Sequence, residues 1–198
     1  MNSNYLYDYV NLLERVFSFG YQTNYSTSAI ERMISYSSFF QKIEKNESPL
    51  INDSLLLANL FQENNINLET LPVYNQCIWA AEAYLRIQNE CRLSFEAIFL
   101  YIPINKMYDY FPLYHEMDFS HIINEFISLY KKKSVFSLLL EKYNFTLNNV
   151  SKDIGISYET LYSLKQRRRD IKKISVEMGK AISDYFNVRL ETLTEIKL

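Results

Sequence analysis

A chain of 198 residues has room for one large or two small domains with an ordinary core, and its 3 Gly, 4 Pro and 2 Cys exclude a turn-rich sheet architecture, a disulfide framework and a Cys-type zinc site. The net charge of −2 argues against a nucleic-acid binder until it is divided along the chain: residues 1–130 hold 7 Lys/Arg and 15 Asp/Glu (net −8), residues 131–198 hold 14 and 8 (net +6). That asymmetry implies a basic module joined to an acidic one, so the chain reads as all-α, with one helical domain at 1–130 and a second at 131–198. Cys77 and Cys91 read as buried thiols of a reducing compartment. No stretch approaches the ~18 uncharged apolar residues of a membrane span, and the N-terminus lacks a basic region ahead of an apolar run. The expectation is a cytoplasmic protein without a membrane partner.

Leu6, Val10, Leu13, Val16 and Phe17 recur at helical spacing, which predicts a helix over 5–19 with Gly20 as its stop. A second helix is expected near Ser28, where Ser28 and Glu31 make a capping box ahead of Ile30, Met33, Ile34, Phe39 and Phe40. Residues 46–49 read as a loop. Asn52 or Asp53 caps a third helix carrying Leu55, Leu56, Leu57, Leu60 and Phe61, a connector follows at 64–67, and Pro72 opens the next helix. That helix, running to about residue 90, is apolar or small around most of its circumference: Cys77, Ile78, Trp79, Ala80, Ala81, Ala83, Tyr84, Leu85 and Ile87. It is therefore the expected centre of the first domain. Ser94 caps a helix over 95–101, Pro103 and Pro112 interrupt, and Asp118 caps a last helix closed by the cations at 131–133.

The second domain opens with a helix carrying Val135, Leu138, Leu139 and Tyr143. Thr146 caps a short helix whose inward side is Leu147, Val150 and Ile154, with the small Ser151 admitting a neighbour. Gly155 supplies the positive φ of a tight turn, Ile156 plugs the core, and Ser157 caps a helix at about 157–166 that turns Leu161 and Leu164 inward. Two short helices joined in this way make a helix-turn-helix. Ser175 caps a further helix with Met178, Ala181, Ile182, Tyr185 and Phe186, and Asn187-Val188 through Leu193 closes the run.

This string resembles the lambda-repressor-like family, the Cro or Xre type, over about 60 residues. Two positions depart from the family pattern: Leu147 stands where Gln is frequent, which removes one phosphate contact, and Lys165 stands where Glu often ends the helix. The resemblance implies a five-helix DNA-binding domain. The start of its recognition helix enters the major groove, with Tyr158, Glu159 and Ser163 facing bases and Tyr162 at the groove wall. Glu159 suits a cytosine amino group, and Tyr158 a thymine methyl or a phosphate. Thr146 and six cations, Lys165, Arg167, Arg168, Arg169, Lys172 and Lys173, opposed only by Asp170, are assigned to phosphates of double-stranded DNA. The plainer alternative for those cations is a solvated loop.

The expected function is a sequence-specific transcriptional regulator, repressor-type, acting as a homodimer because one such unit reads only a half-site. Residues 1–130 would then assemble the dimer or sense a protein or small-molecule effector. The competing expectation is an antitoxin or phage-defence interaction protein that binds a protein through 1–130 and regulates its own operon. No enzyme, cofactor or metal is expected. His115, Glu116, Asp118 and His121 lack metal-ligand spacing, and Glu82, Glu90 and Glu96 show no acid/base pairing. Trp79, Tyr84 and Arg86 read as core before pocket.

Overall fold

The computed structural model describes residues 3–23, 25–45, 47, 74–168 and 173–193, with the backbone alone at 3–5 and 7. These residues form eleven α-helices and one 3-10 helix, with no strand among them, so the fold is all-α. The chain divides into two compact units, Met1–Asn124 and Glu125–Leu198.

The first unit holds α1 (Ser3–Gln22), α2 (Thr27–Tyr36), α3 (Ser38–Glu44), α4 (Tyr74–Cys91), α5 (Phe95–Tyr101) and α6 (Ile104–Tyr114). Helix α4 is its centre, with Cys77, Ala80, Ala81, Ala83, Tyr84, Leu85 and Ile87 all buried. Its alanines let α1, α5 and α6 pack closely against it. Edge-to-face rings fill the space between: Phe17 on Tyr84, Tyr84 on Phe99, and Phe40 on Phe95. The fully buried Tyr84 hydroxyl donates to the Ile102 carbonyl at 2.7 Å, which satisfies the one polar atom this ring brings into the core. Trp79 is likewise core, packed on Phe111 and Phe119.

Several expectations for this unit are corrected. Helix α1 runs through Gly20, where a Cβ would lie 2.6 Å from Ile30 Cγ1; the glycine admits α2 and does not stop α1. Helix α2 starts earlier, capped by Ser26, which accepts from the Ala29 N–H at 3.2 Å. With Ser26 as the cap, Ser28 lies inside the helix and the expected Ser28–Glu31 capping box is not the helix start; Glu31 Oε1 accepts from the Ile104 N–H at 2.9 Å, at the start of α6. Phe39 and Phe40 lie on the separate α3, after an extended Ser37. Pro112 sits inside α6, whose φ it shares; it forfeits one backbone bond close to the helix end, and His115 still donates to the Phe111 carbonyl at 3.0 Å. The loop at 46–49, apart from Glu47, falls outside the described residues, as do the third helix with its leucines, the 64–67 connector and Pro72.

Helix α7 (Ser120–Lys132) is capped by Asp118, whose Oδ1 accepts from the Ser120 N–H at 2.8 Å; hydrogen bonds from Ser120 hold that carboxyl below its ordinary range. The division at Asn124 and Glu125 falls within α7. The second unit continues with α8 (Val135–Lys142), α9 (Leu147–Ile154), α10 (Tyr158–Lys165), α11 (Val176–Phe186) and the 3-10 helix Leu190–Leu193. Its core joins Val135, Phe136, Leu139, Leu147, Val150, Ile156, Leu161, Leu164, Ile182, Phe186 and Leu193. Ile154 is only half-buried. Among the described residues no helix is long and apolar enough to cross a membrane.

Candidate nucleic-acid interface

Helices α9 and α10 are eight residues each and are joined by residues 155–157. Thr146 Oγ1 accepts from the Asn149 N–H at 3.2 Å, and Ser157 Oγ from the Thr160 N–H at 3.3 Å, so each helix begins on a hydroxyl cap. Gly155 has φ +68°, and a Cβ added there would meet nothing within 4 Å, so the turn requires glycine for its backbone angle and not for space. Ser151 does more than admit a neighbour: its hydroxyl donates to the Ile156 carbonyl at 2.7 Å and closes the turn.

With Leu161 and Leu164 buried, α10 presents Tyr158, Glu159 and Tyr162 to solvent, and Ser163 is half-buried. Tyr158 and Tyr162, one turn apart, stack with centroids 6.1 Å apart and planes 11° apart. The Arg168 guanidinium stands 5.9 Å over the Tyr162 ring and extends this surface with positive charge. Thr146, Tyr158 and Lys165 line one open groove of about 420 Å³, together with Asn148, so the start of α9 and both ends of α10 share it.

The expected cations do not act as one cluster. Arg168 and Lys173 are exposed and Lys165 is half-buried, whereas Arg169, Asp170 and Lys172 fall outside the described residues. Arg167 turns elsewhere: its Nη2 donates to the Lys133 carbonyl at 2.6 Å and its Nη1 to the Lys131 carbonyl at 3.4 Å. Its Cζ lies 4.2 Å from the Tyr130 ring centroid. Two further contacts escaped the sequence. The Lys165 carbonyl accepts from Ser134 at 2.9 Å and Ser137 at 3.4 Å, and the Tyr185 hydroxyl donates to Asp153 at 2.7 Å, which raises the phenol's pKa and ties α11 to α9. Ser134 is legible as a helix cap, but its second partner lies 31 residues away.

The first unit holds a second concavity, of about 350 Å³, lined by Phe17, Tyr21, Tyr25 and Tyr108 with Gly20 and Ile30. From this lining Tyr108 Oη lies 3.6 Å from Cys77 Sγ, and in the same unit Glu14 Oε1 accepts from the buried Ser18 at 2.6 Å. Burial pushes the Glu14 carboxyl, the Cys77 thiol and the Tyr108 phenol all upward, toward their neutral forms. Cys91, also a buried free thiol, is pushed up to about 11, so neither cysteine is a ready nucleophile. Among the described residues no three His, Cys, Asp or Glu side chains converge to hold a metal ion. Comparison of the chain with family profiles, characterised proteins and solved structures finds no match.

Proposed function

We propose that this protein is a sequence-specific DNA-binding transcriptional regulator of the lambda-repressor-like, Cro or Xre type, acting as a cytoplasmic repressor. The observation that carries the reading is the capped, glycine-turned pair α9 and α10, whose second helix buries Leu161 and Leu164 and offers Tyr158, Glu159 and Tyr162 to solvent. In this reading Tyr158, Glu159 and Ser163 meet base edges and Tyr162 the groove wall. Thr146, Lys165, Arg168 and Lys173, with Arg169 and Lys172, meet phosphates. A homodimer presents two such helices to two half-sites.

The role proposed for residues 1–130 is assembly and sensing. The groove beside Tyr108 favours a small effector: four aromatic rings and no charged side chain line it, which matches a neutral aromatic molecule.

Selection of bound sites from random duplex DNA at two salt concentrations tests the proposal. Enrichment of a palindrome is the expected result, with a log-log salt slope of about −3 to −4 per subunit if four of the five cations neutralise phosphates and about −4.5 if all do. A slope near zero sinks it. Failure to enrich any sequence, together with a fixed co-purifying protein, puts the antitoxin-like reading in its place.

A further inference from the structure

We infer that Arg167 is a positioning residue of the DNA-reading helix, latching the end of α10 to the end of α7, and is not one of its phosphate contacts; the inference rests on the DNA-binding reading above. Arg167 follows α10 with φ +54°, a conformation that normally selects glycine. In this position its N–H donates to the Leu164 carbonyl at 3.0 Å and the Arg168 N–H to the Ser163 carbonyl at 2.9 Å, which closes α10. Glycine would close the helix equally well and with less strain. What glycine cannot supply is the side chain.

That side chain reaches the last turn of α7. The carbonyls of a helix C-terminus lack intrahelical donors and carry the negative end of the helix dipole. The guanidinium meets the carbonyl of Lys131, in that turn, and that of Lys133, the residue just past the helix, while its Cζ stands over the Tyr130 ring, itself only 2% exposed. A planar fork of donors suits this double contact, and a lysine ammonium would replace only part of it. Ser134 and Ser137, both buried, hold the Lys165 carbonyl from the same side. The last residue of α10 and the second residue beyond it are therefore both fastened to the segment from 130 to 137. The neighbouring arginine divides the labour: Arg168 stands over Tyr162, on the exposed side of α10.

The test is binding of the full chain to its selected duplex between about 50 and 300 mM salt, comparing R167A, R167K and R168A, with a thermal midpoint for each. R168A should reduce the steepness of the salt slope by about one, as loss of a phosphate contact requires. R167A should weaken binding about 3- to 10-fold at every salt concentration with the slope unchanged, and should lower the midpoint, with R167K between it and the parent. A loss of slope in R167A equal to that in R168A, with the midpoint unmoved, makes Arg167 a phosphate contact and overturns the latch. Unchanged affinity and midpoint in R167A overturn it as well. Should the parent bind no duplex at all, the DNA reading fails separately, and the midpoints of R167A and R167K still decide whether the latch exists.

Discussion

Both compact units cap helices with local hydroxyls, and they differ in what is added to those caps. In Glu125–Leu198 each of the four helices α8 to α11 starts on a hydroxyl from the residue just before it, Ser134, Thr146, Ser157 and Ser175. A residue with positive φ follows each of them: Asn144, Gly155, Arg167 and Asn187. In Met1–Asn124 part of the same work is done at long range. Glu44 Oε1 accepts from the Phe95 N–H at 2.7 Å across 51 residues, and Glu31 serves Ile104 across 73. Gln88 Nε2 returns to the Glu44 carbonyl at 3.3 Å. Local caps form as soon as their helix forms, whereas a distant carboxylate caps only after the tertiary fold has brought it there. The helix ends of α8 to α11 thus rest on local devices, whereas the first unit adds long-range caps to its local ones at Ser26 and Ser94.

The largest expected effect concerns what both units share, a buried apolar core. Leu161→Ala empties a fully buried site on α10 and should cost about 2–5 kcal/mol in denaturant unfolding, comparable to truncating a core residue of α4. A loss below about 1 kcal/mol would mean that α10 is not seated as described. Next comes Glu44→Ala, which orphans the Phe95 N–H and should cost about 1–3 kcal/mol. Its signature is hydrogen exchange that accelerates at the ends of both α3 and α5. Acceleration confined to α3 would break the comparison.

Ser157→Ala should cost about 1 kcal/mol and accelerate exchange only in the first turn of α10, the local counterpart of the previous result. Gly155→Ala should lose about 1 kcal/mol through backbone angle alone, since nothing stands where its methyl would go. The smallest effect is on pH dependence in the first unit. Burial raises the Glu14 carboxyl above its ordinary value of 4.5, so the folded state holds that proton more tightly than the unfolded state. Its contribution is therefore fully favourable below the unfolded value and is lost as pH rises through the folded one. Glu14→Gln should flatten this fall in stability across a denaturation series from acid to neutral pH, and an unchanged series would refute the assignment.

The errors of sequence reading follow the same contrast. In the second unit Thr146, Ser157 and Ser175 are legible as caps because donor and acceptor lie within one turn. In the first, Ser28 and Glu31 have the spacing of a capping box, yet the carboxylate has a distant partner at Ile104 that no local window contains. Gly20 has the form of a stop and proves to be a point of helix contact, and Pro112 has the form of a break and is carried within α6. The partners of Arg167 are hidden for a related reason: a run of cations suggests phosphates, and nothing in it marks Arg167, whose φ is +54° and whose guanidinium reaches the Lys131 and Lys133 carbonyls.

The amino-acid sequence by itself determined the all-α class, the central apolar helix, and the caps, glycine turn and inward leucines from Thr146 to Leu164, because each depends on periodicity or on partners a few residues apart. Only the tertiary structure decided which helix Glu31 and Glu44 cap, where Gly20 brings two helices together, and which arginine grips α7 while its neighbour faces outward. Those contacts join residues tens of positions apart, and their energies exist only once packing has closed the distance.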